Sequence, residues 1–146
     1  MYAEFEGEAD VVVLARLLWV EARGTGLEGI LAVGRAVLNR VPPEGEDRWW
    51  GSTLREVMEF PYQFSAFNDE TSRLKCLEPL KHDSERAWYD CLEAAHLLHA
   101  GYIKDFTLGA THYMTDQKWR EDPPKWAAGK TPCLESGGHV FFNHIE

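Results

Sequence analysis

The chain has 146 residues, 45% of them hydrophobic and 27% charged, with a formal net charge of −9 at pH 7. That length fits one domain with a core of its own, and that balance belongs to a folded chain rather than a disordered one. The acidic excess repels nucleic acid phosphates and no basic run with interleaved aromatics offsets it, so no nucleic acid partner is expected.

Glu4, Glu6, Glu8 and Asp10 stand in the first ten residues with no Lys or Arg. This is unlike the positive leading segment of a secretory signal, so synthesis in the cytoplasm and release by another agent are expected. The longest apolar stretch, Val11 to Val20, is interrupted by Arg16, whereas a membrane span needs roughly 20 apolar residues; no membrane insertion is expected. Within it Val12, Leu14, Ala15, Leu18 and Trp19 recur at helical spacing, which predicts a buried helix over about residues 9–23 that stops at Gly24. A second helix is predicted over about 27–41, with Leu27, Ile30, Leu31, Val37, Leu38 and Val41 on one side. Its Gly29 and Gly34 cost helix propensity but let another backbone come close, and Pro42 and Pro43 end it.

Thr53 and Glu56 have the spacing of a capping box for a short helix reaching Phe60, and Pro61 forces the exit into an irregular stretch. Asp83 or Ser84 then caps an amphipathic helix whose inward face is Trp88, Cys91, Leu92, Ala95 and Leu98, with Gly101 as its stop. Beyond it, Phe106 to Met114 and Gly138 to Asn143 are rich in β-favouring residues and predict short strands, separated by a loop marked by Pro123, Pro124, Gly129 and Pro132. The expected architecture is mainly α (α+β), with a small β element and a cleft where the two parts meet.

Cys76, Cys91 and Cys133 are odd in number and form no Cys-x-x-Cys pair, so neither a disulfide framework nor a structural zinc site is indicated. Glu93, His96 and His99 share one helix face, but carboxylate-bridged metal bundles need a second Glu-x-x-His helix, and the chain has none. A solvated face is the better reading, and neither a metal nor another cofactor is expected. A Gly-x-Ser-x-Gly elbow and a phosphate-binding loop are both missing.

Glu21 is the first chemical candidate. A carboxylate after Leu17, Leu18, Trp19 and Val20 near the end of an apolar helix is partly desolvated, which raises its pKa toward the range of a general acid. An ordinary helix-end Glu paired with Arg23 or Arg40 is the competing reading. Gln63, Phe64 and Ser65 follow Pro61 and combine an amide, a ring and a hydroxyl that can bind and stack on a sugar; a loop with one buried aromatic has the same composition. Thr111, His112 and Tyr113 form a polar cluster after Gly109 and Ala110, which a satisfied core His and Tyr would also explain. Trp126 suits either a sugar platform or a core plug, and His139 follows the Gly137–Gly138 turn.

Taken in order, these segments resemble the SleB-type cell wall hydrolases, the family of spore-cortex-lytic enzymes and related phage and bacterial proteins. Glu21-Ala22-Arg23-Gly24, Asn39-Arg40-Val41, Gln63-Phe64-Ser65 and Gly109-Ala110-Thr111-His112-Tyr113 match successive family motifs. Pro124 with Trp126 resembles its Pro-x-Trp step, and Gly138, His139 and Phe141 its Gly-x-His-x-Phe ending. Trp19 and Val20 depart from the Tyr-Gly pair common before the glutamate, and Thr25 follows the motif glycine. The resemblance runs from about Leu14 to Phe142, and it implies one lysozyme-like catalytic domain over residues 1–146, a peptidoglycan substrate and Glu21 as the catalytic residue.

Protonating the bond between N-acetylmuramic acid and N-acetylglucosamine needs a carboxylic acid with a raised pKa, and ordinary glycosidases add a second carboxylate. No second carboxylate falls within a matched segment; Asp69, Asp116, Glu121 and Asp122 are merely nearby. That favours a lytic transglycosylase, in which Glu21 is both acid and base and the product is a 1,6-anhydro sugar. Gln63 and Tyr113 are expected to orient the sugar, with Phe64, Ser65, Thr111, His112, Trp126 and His139 as further substrate-binding candidates. Muramidase-type hydrolysis on the same fold and a non-catalytic wall-binding or virion structural protein stay open as alternatives. The expected setting is a monomeric, phage endolysin-like protein, released by a holin and held to anionic walls by sugar contacts rather than by charge.

Overall fold

In the computed structural model, which describes residues 2–145, the first apolar run becomes α1 (Asp10–Ala22), burying Val13, Leu14, Leu17, Leu18 and Trp19. Gly24 turns the chain at φ +85°, and α2 (Gly26–Asn39) buries Ile30, Val33, Ala36 and Val37. Leu27, expected to face inward, is 47% exposed, because it occupies the first turn of α2 at the surface bend around Gly24 and Gly26. In α3 (Leu54–Glu59) the Thr53 hydroxyl accepts the Glu56 N–H, but the Glu56 carboxylate returns to the Ser52 N–H, one residue before the usual partner.

The stretch expected to be irregular holds three short helices, α4 (Ser65–Asn68), α5 (Glu70–Leu77) and α6 (Pro79–His82). Each is too short to show apolar periodicity, and their signals are local. Asp69 caps α5 by accepting the Thr71 N–H, and Pro79 starts α6. Ser84 rather than Asp83 caps α7 (Glu85–His99), since Asp83 is paired with Arg23.

Helices α1, α2 and α7 pack mutually around the main core. Gly34 lies where all three meet: a Cβ there would collide with Leu98 Cδ1 of α7 and stand 3.3 Å from Leu18 of α1. The glycine lowers helix propensity by about 1 kcal/mol relative to alanine and in return allows this close crossing.

The remainder forms β1 (His112–Thr115), α8 (Asp116–Glu121), β2 (Leu134–Ser136) and β3 (His139–Phe142), the strands ordered β1-β3-β2 and antiparallel throughout. Of the strand expected over 106–114, only the last three residues join the sheet. The Asp105 carboxylate instead accepts the N–H groups of Thr107 and Gly109, at 2.8 and 2.9 Å, and holds this segment in a turn. Gly137 and Gly138, at φ +59° and +83°, connect β2 to β3 in a tight two-residue turn. A Cβ on Gly137 would lie 2.8 Å from Thr25 Cβ and 3.1 Å from Gly29 Cα, so the hairpin tip meets the start of α2 almost backbone to backbone. Tyr113 and Phe141 face the helical core, while Met114, Val140 and Phe142 form a smaller cluster with Ala127 on the other side of the sheet. Among the described residues no helix is long and apolar enough to cross a membrane.

Candidate active site

Glu21 is the penultimate residue of α1. Its Oε1 accepts the Ala66 N–H at 3.1 Å and the Ser65 hydroxyl at 3.4 Å, both from the start of α4. Among the described residues neither expected cation forms an ion pair with it. Arg23 turns away to Asp83 at 2.9 Å and lies over the Trp19 ring at 3.8 Å. Arg40 donates to the Thr111 carbonyl at 2.6 Å and to Gln63 Oε1 at 3.0 Å. Burial pushes the Glu21 pKa up, the bonds from Ala66 and Ser65 pull it partly back, and the balance is a raised value.

Glu21 opens into a cleft of about 610 Å³ between the helices and the sheet, and eight of the nine expected site residues line it: Glu21, Gln63, Phe64, Ser65, His112, Tyr113, Trp126 and His139. Thr111 does not. It is buried beside a neighbouring hollow, with its hydroxyl 2.8 Å from His112 Nδ1.

The cleft walls hold polar groups under strong desolvation. The Tyr113 ring is half-buried, but its hydroxyl is buried without a hydrogen-bond partner among the described residues. Burial and then the Glu21 charge push its pKa well above the usual phenol value. His112 is held neutral, its pKa brought down to about 3 by burial and then by the Arg40 charge. His139 is buried with Nδ1 unpartnered, 5.7 Å from the Tyr113 ring. Trp126 meets His112 edge-on at 4.8 Å and Phe142 at 5.4 Å, so it serves the small cluster and the cleft wall at once.

Arg40 contributes more than its motif suggested. It is 4% exposed, it lies over the Phe64 ring at 4.7 Å, and burial lowers its pKa to about 10. Its bond to Gln63 Oε1 leaves the amide nitrogen of Gln63 as the donor available to a ligand. Trp49 and Tyr62 also line the cleft and went unremarked in the sequence. Their signal was an aromatic set among Pro, Gly and charged residues, and Tyr62 adds a strained φ of +64°.

Among the described residues lining the cleft, Glu21 is the one carboxylate. The four nearby acids are engaged elsewhere: Asp69 caps α5, Asp116 pairs with Arg120, Asp122 pairs with Lys118, and Glu121 accepts from Gln117. The Glu93, His96 and His99 face of α7 is exposed.

A helical core closed by a small sheet, with a cleft in the seam, is the arrangement of a lysozyme-like fold. The chain belongs to the Cell Wall Hydrolase family, which matches over residues 24–142, beginning three residues after Glu21. Over 58 residues it is 40% identical to the cell wall hydrolase CwlJ of Bacillus subtilis; this stretch is 40% of the chain and 41% of that relative, so well under half of the relative is represented. The fold is similar to the catalytic domain of the germination-specific lytic transglycosylase SleB from Bacillus anthracis, with a TM-score of 0.62 and 25% identity over 93% of this chain and 97% of that one. The catalytic domain of Bacillus cereus SleB matches in fold with a TM-score of 0.58 at 22% identity, over 90% and 88% of the two chains.

Proposed function

We propose that this protein cleaves the glycan strands of peptidoglycan as a lytic transglycosylase, with Glu21 as both acid and base. The observation that carries this reading is that, among the described residues, Glu21 is the one carboxylate lining the cleft. Protonated Glu21 gives its proton to the oxygen joining muramic acid C1 to the next sugar, and the C1–O bond breaks as positive charge builds on the ring. The resulting carboxylate then takes the proton of the C6 hydroxyl, and O6 closes on C1 to give the 1,6-anhydro product. One proton is lent and recovered, and no water is consumed.

Desolvation of Glu21 supports the first step, because it keeps the acid protonated closer to neutral pH. Ser65 and Ala66 hold one carboxylate oxygen and leave Oε2 for the sugar. In this reading Gln63 and Tyr113 orient the ring at the cleavage point, and neutral His112 hydrogen-bonds without adding a positive charge. Phe64, Trp126 and His139 shape the walls, and Thr111 acts from the adjoining hollow. No step needs a metal, so chelators are expected to leave the rate unchanged.

Mass spectrometry of products from purified peptidoglycan tests the chemistry. Fragments lighter by one water than hydrolysed ones support it, while reducing ends would replace it with hydrolysis by the same cleft. The same reading has the protein act on the wall as a monomer, made in the cytoplasm and released by a phage holin. Host lysis on co-expression that occurs only when a holin is present would support that setting.

A further inference from the structure

We infer that the hollow beyond Trp49 is an additional saccharide site, continuous with the Glu21 cleft, and that the Trp49 indole is its stacking platform for a sugar remote from the cleaved bond. This rests on the reading of the cleft as glycan-cleaving. The hollow encloses about 550 Å³ and shares Trp49 and Ile145 with the cleft, so one polymer can run through both.

Trp49 and Trp50 are neighbours with opposite fates. Trp50 is 3% exposed and its indole N–H donates to the Arg40 carbonyl at 2.8 Å, whereas Trp49 is 59% exposed. Trp49 is nevertheless braced, at 5.2 Å and 64° to Trp50 and at 5.8 Å and 83° to Phe60. Isolated exposed apolar side chains such as Leu27 and Tyr89 need no explanation. A fixed indole on the divide between two concavities does, because it presents a rigid aromatic surface with little ordering entropy left to lose on binding.

A sugar ring has an apolar C–H face and a hydroxyl rim, so it needs a flat platform with a few polar groups around it. The hollow supplies Asp47, Arg48 and His144 around Trp49, and at Gly109 nothing lies within 4 Å of where a Cβ would stand. The opposed charges of Asp47 and Arg48 suit a neutral N-acetylglucosamine ring better than an anionic peptide stem. Contacts made far from the reacting bond can be used to hold the substrate in its reactive geometry, so longer strands are expected to be the better substrates.

The test uses the full chain with Glu21→Gln, chosen to suppress turnover, and peptide-free glycan strands of short and long defined length, with affinity read by titration calorimetry. The long strand is expected to bind roughly tenfold more tightly than the short one, a margin of about 1.4 kcal/mol. Trp49→Leu, which keeps apolar bulk against Trp50 and Phe60 but lacks an aromatic face, should bring that ratio close to one. Trp49→Phe should keep part of it. An unchanged ratio in a folded Trp49→Leu protein overturns the inference alone, as does a gain seen only with peptide-bearing strands. Failure of the Glu21→Gln chain to bind strands of either length overturns the cleft reading and this inference with it.

Discussion

The helical half and the seam beside it are built on different terms. Where α1, α2 and α7 meet, Val13, Leu14, Leu17, Leu18, Val33, Val37 and Cys91 are fully enclosed, and stability comes from apolar burial at native packing density. Along the seam the enclosed groups are polar. Among the described residues Arg40 has hydrogen bonds but no carboxylate partner, and the Tyr113 hydroxyl and His139 Nδ1 have no hydrogen-bond partner. The helical side is not wholly free of such atoms, since Trp19 Nε1 is also unpartnered. Unpaired buried polar atoms cost stability and collect at functional sites. If the proposed site is correct, stability and chemistry lie in different parts of the chain, and substitutions should separate them.

The largest separation is expected at Glu21. Glu21→Gln should lower turnover by at least about 100-fold and leave the fold intact. Its thermal stability should rise at neutral pH. A folded-state pKa above the unfolded one means that the native protein keeps the proton longer, so stability falls as pH rises from the ordinary carboxyl pKa of 4.5 through the raised value. Gln removes that penalty, and melts at a series of pH values should show its advantage vanish below the ordinary carboxyl range. Next comes Leu18→Ala, which should cost about 2 to 5 kcal/mol by denaturant titration with kcat/KM unchanged well below the melting temperature. A large activity loss there would erase the division.

His112 gives a smaller, pH-dependent effect. Because its pKa falls from 6.5 to about 3 on folding, the unfolded chain takes up a proton first, and stability should decline as pH drops through that window. His112→Phe should flatten that part of the acid-denaturation curve. The smallest effect belongs to Ser65→Ala. Losing a hydroxyl that lowers the Glu21 pKa should move the alkaline limb of the pH–rate profile slightly upward, with at most a small drop in melting temperature at neutral pH and none below the ordinary carboxyl range.

The long helices were legible because their apolar spacing persists over three or four turns, and Ser84 and Thr53 marked starts that their side chains do cap. The short helices α4 to α6 were not, since four to eight residues carry no measurable period. The strand expected from Phe106 was shortened by the hydrogen bonds of one carboxylate, Asp105, and β2 is only three residues long. The meeting of Glu21 with Ser65 and Ala66, 44 and 45 residues away, is a tertiary event that no local pattern encodes. It was anticipated only through the resemblance of ordered motifs. Trp49 was missed because an exposed aromatic in a loop looks the same in sequence whether or not two concavities flank it.

The contact between Gly29 and Gly137 lies close to Glu21. Thr25, which both glycines crowd, donates its hydroxyl to the Ala22 carbonyl at 2.6 Å, one residue beyond the acid. Two positions without side chains therefore set the spacing between the strand carrying His139 and the start of α2, just past the end of the helix that carries Glu21. Adding one methyl at Gly29 would wedge these surfaces apart from behind. The width of the cleft would change although no residue lining it had been replaced.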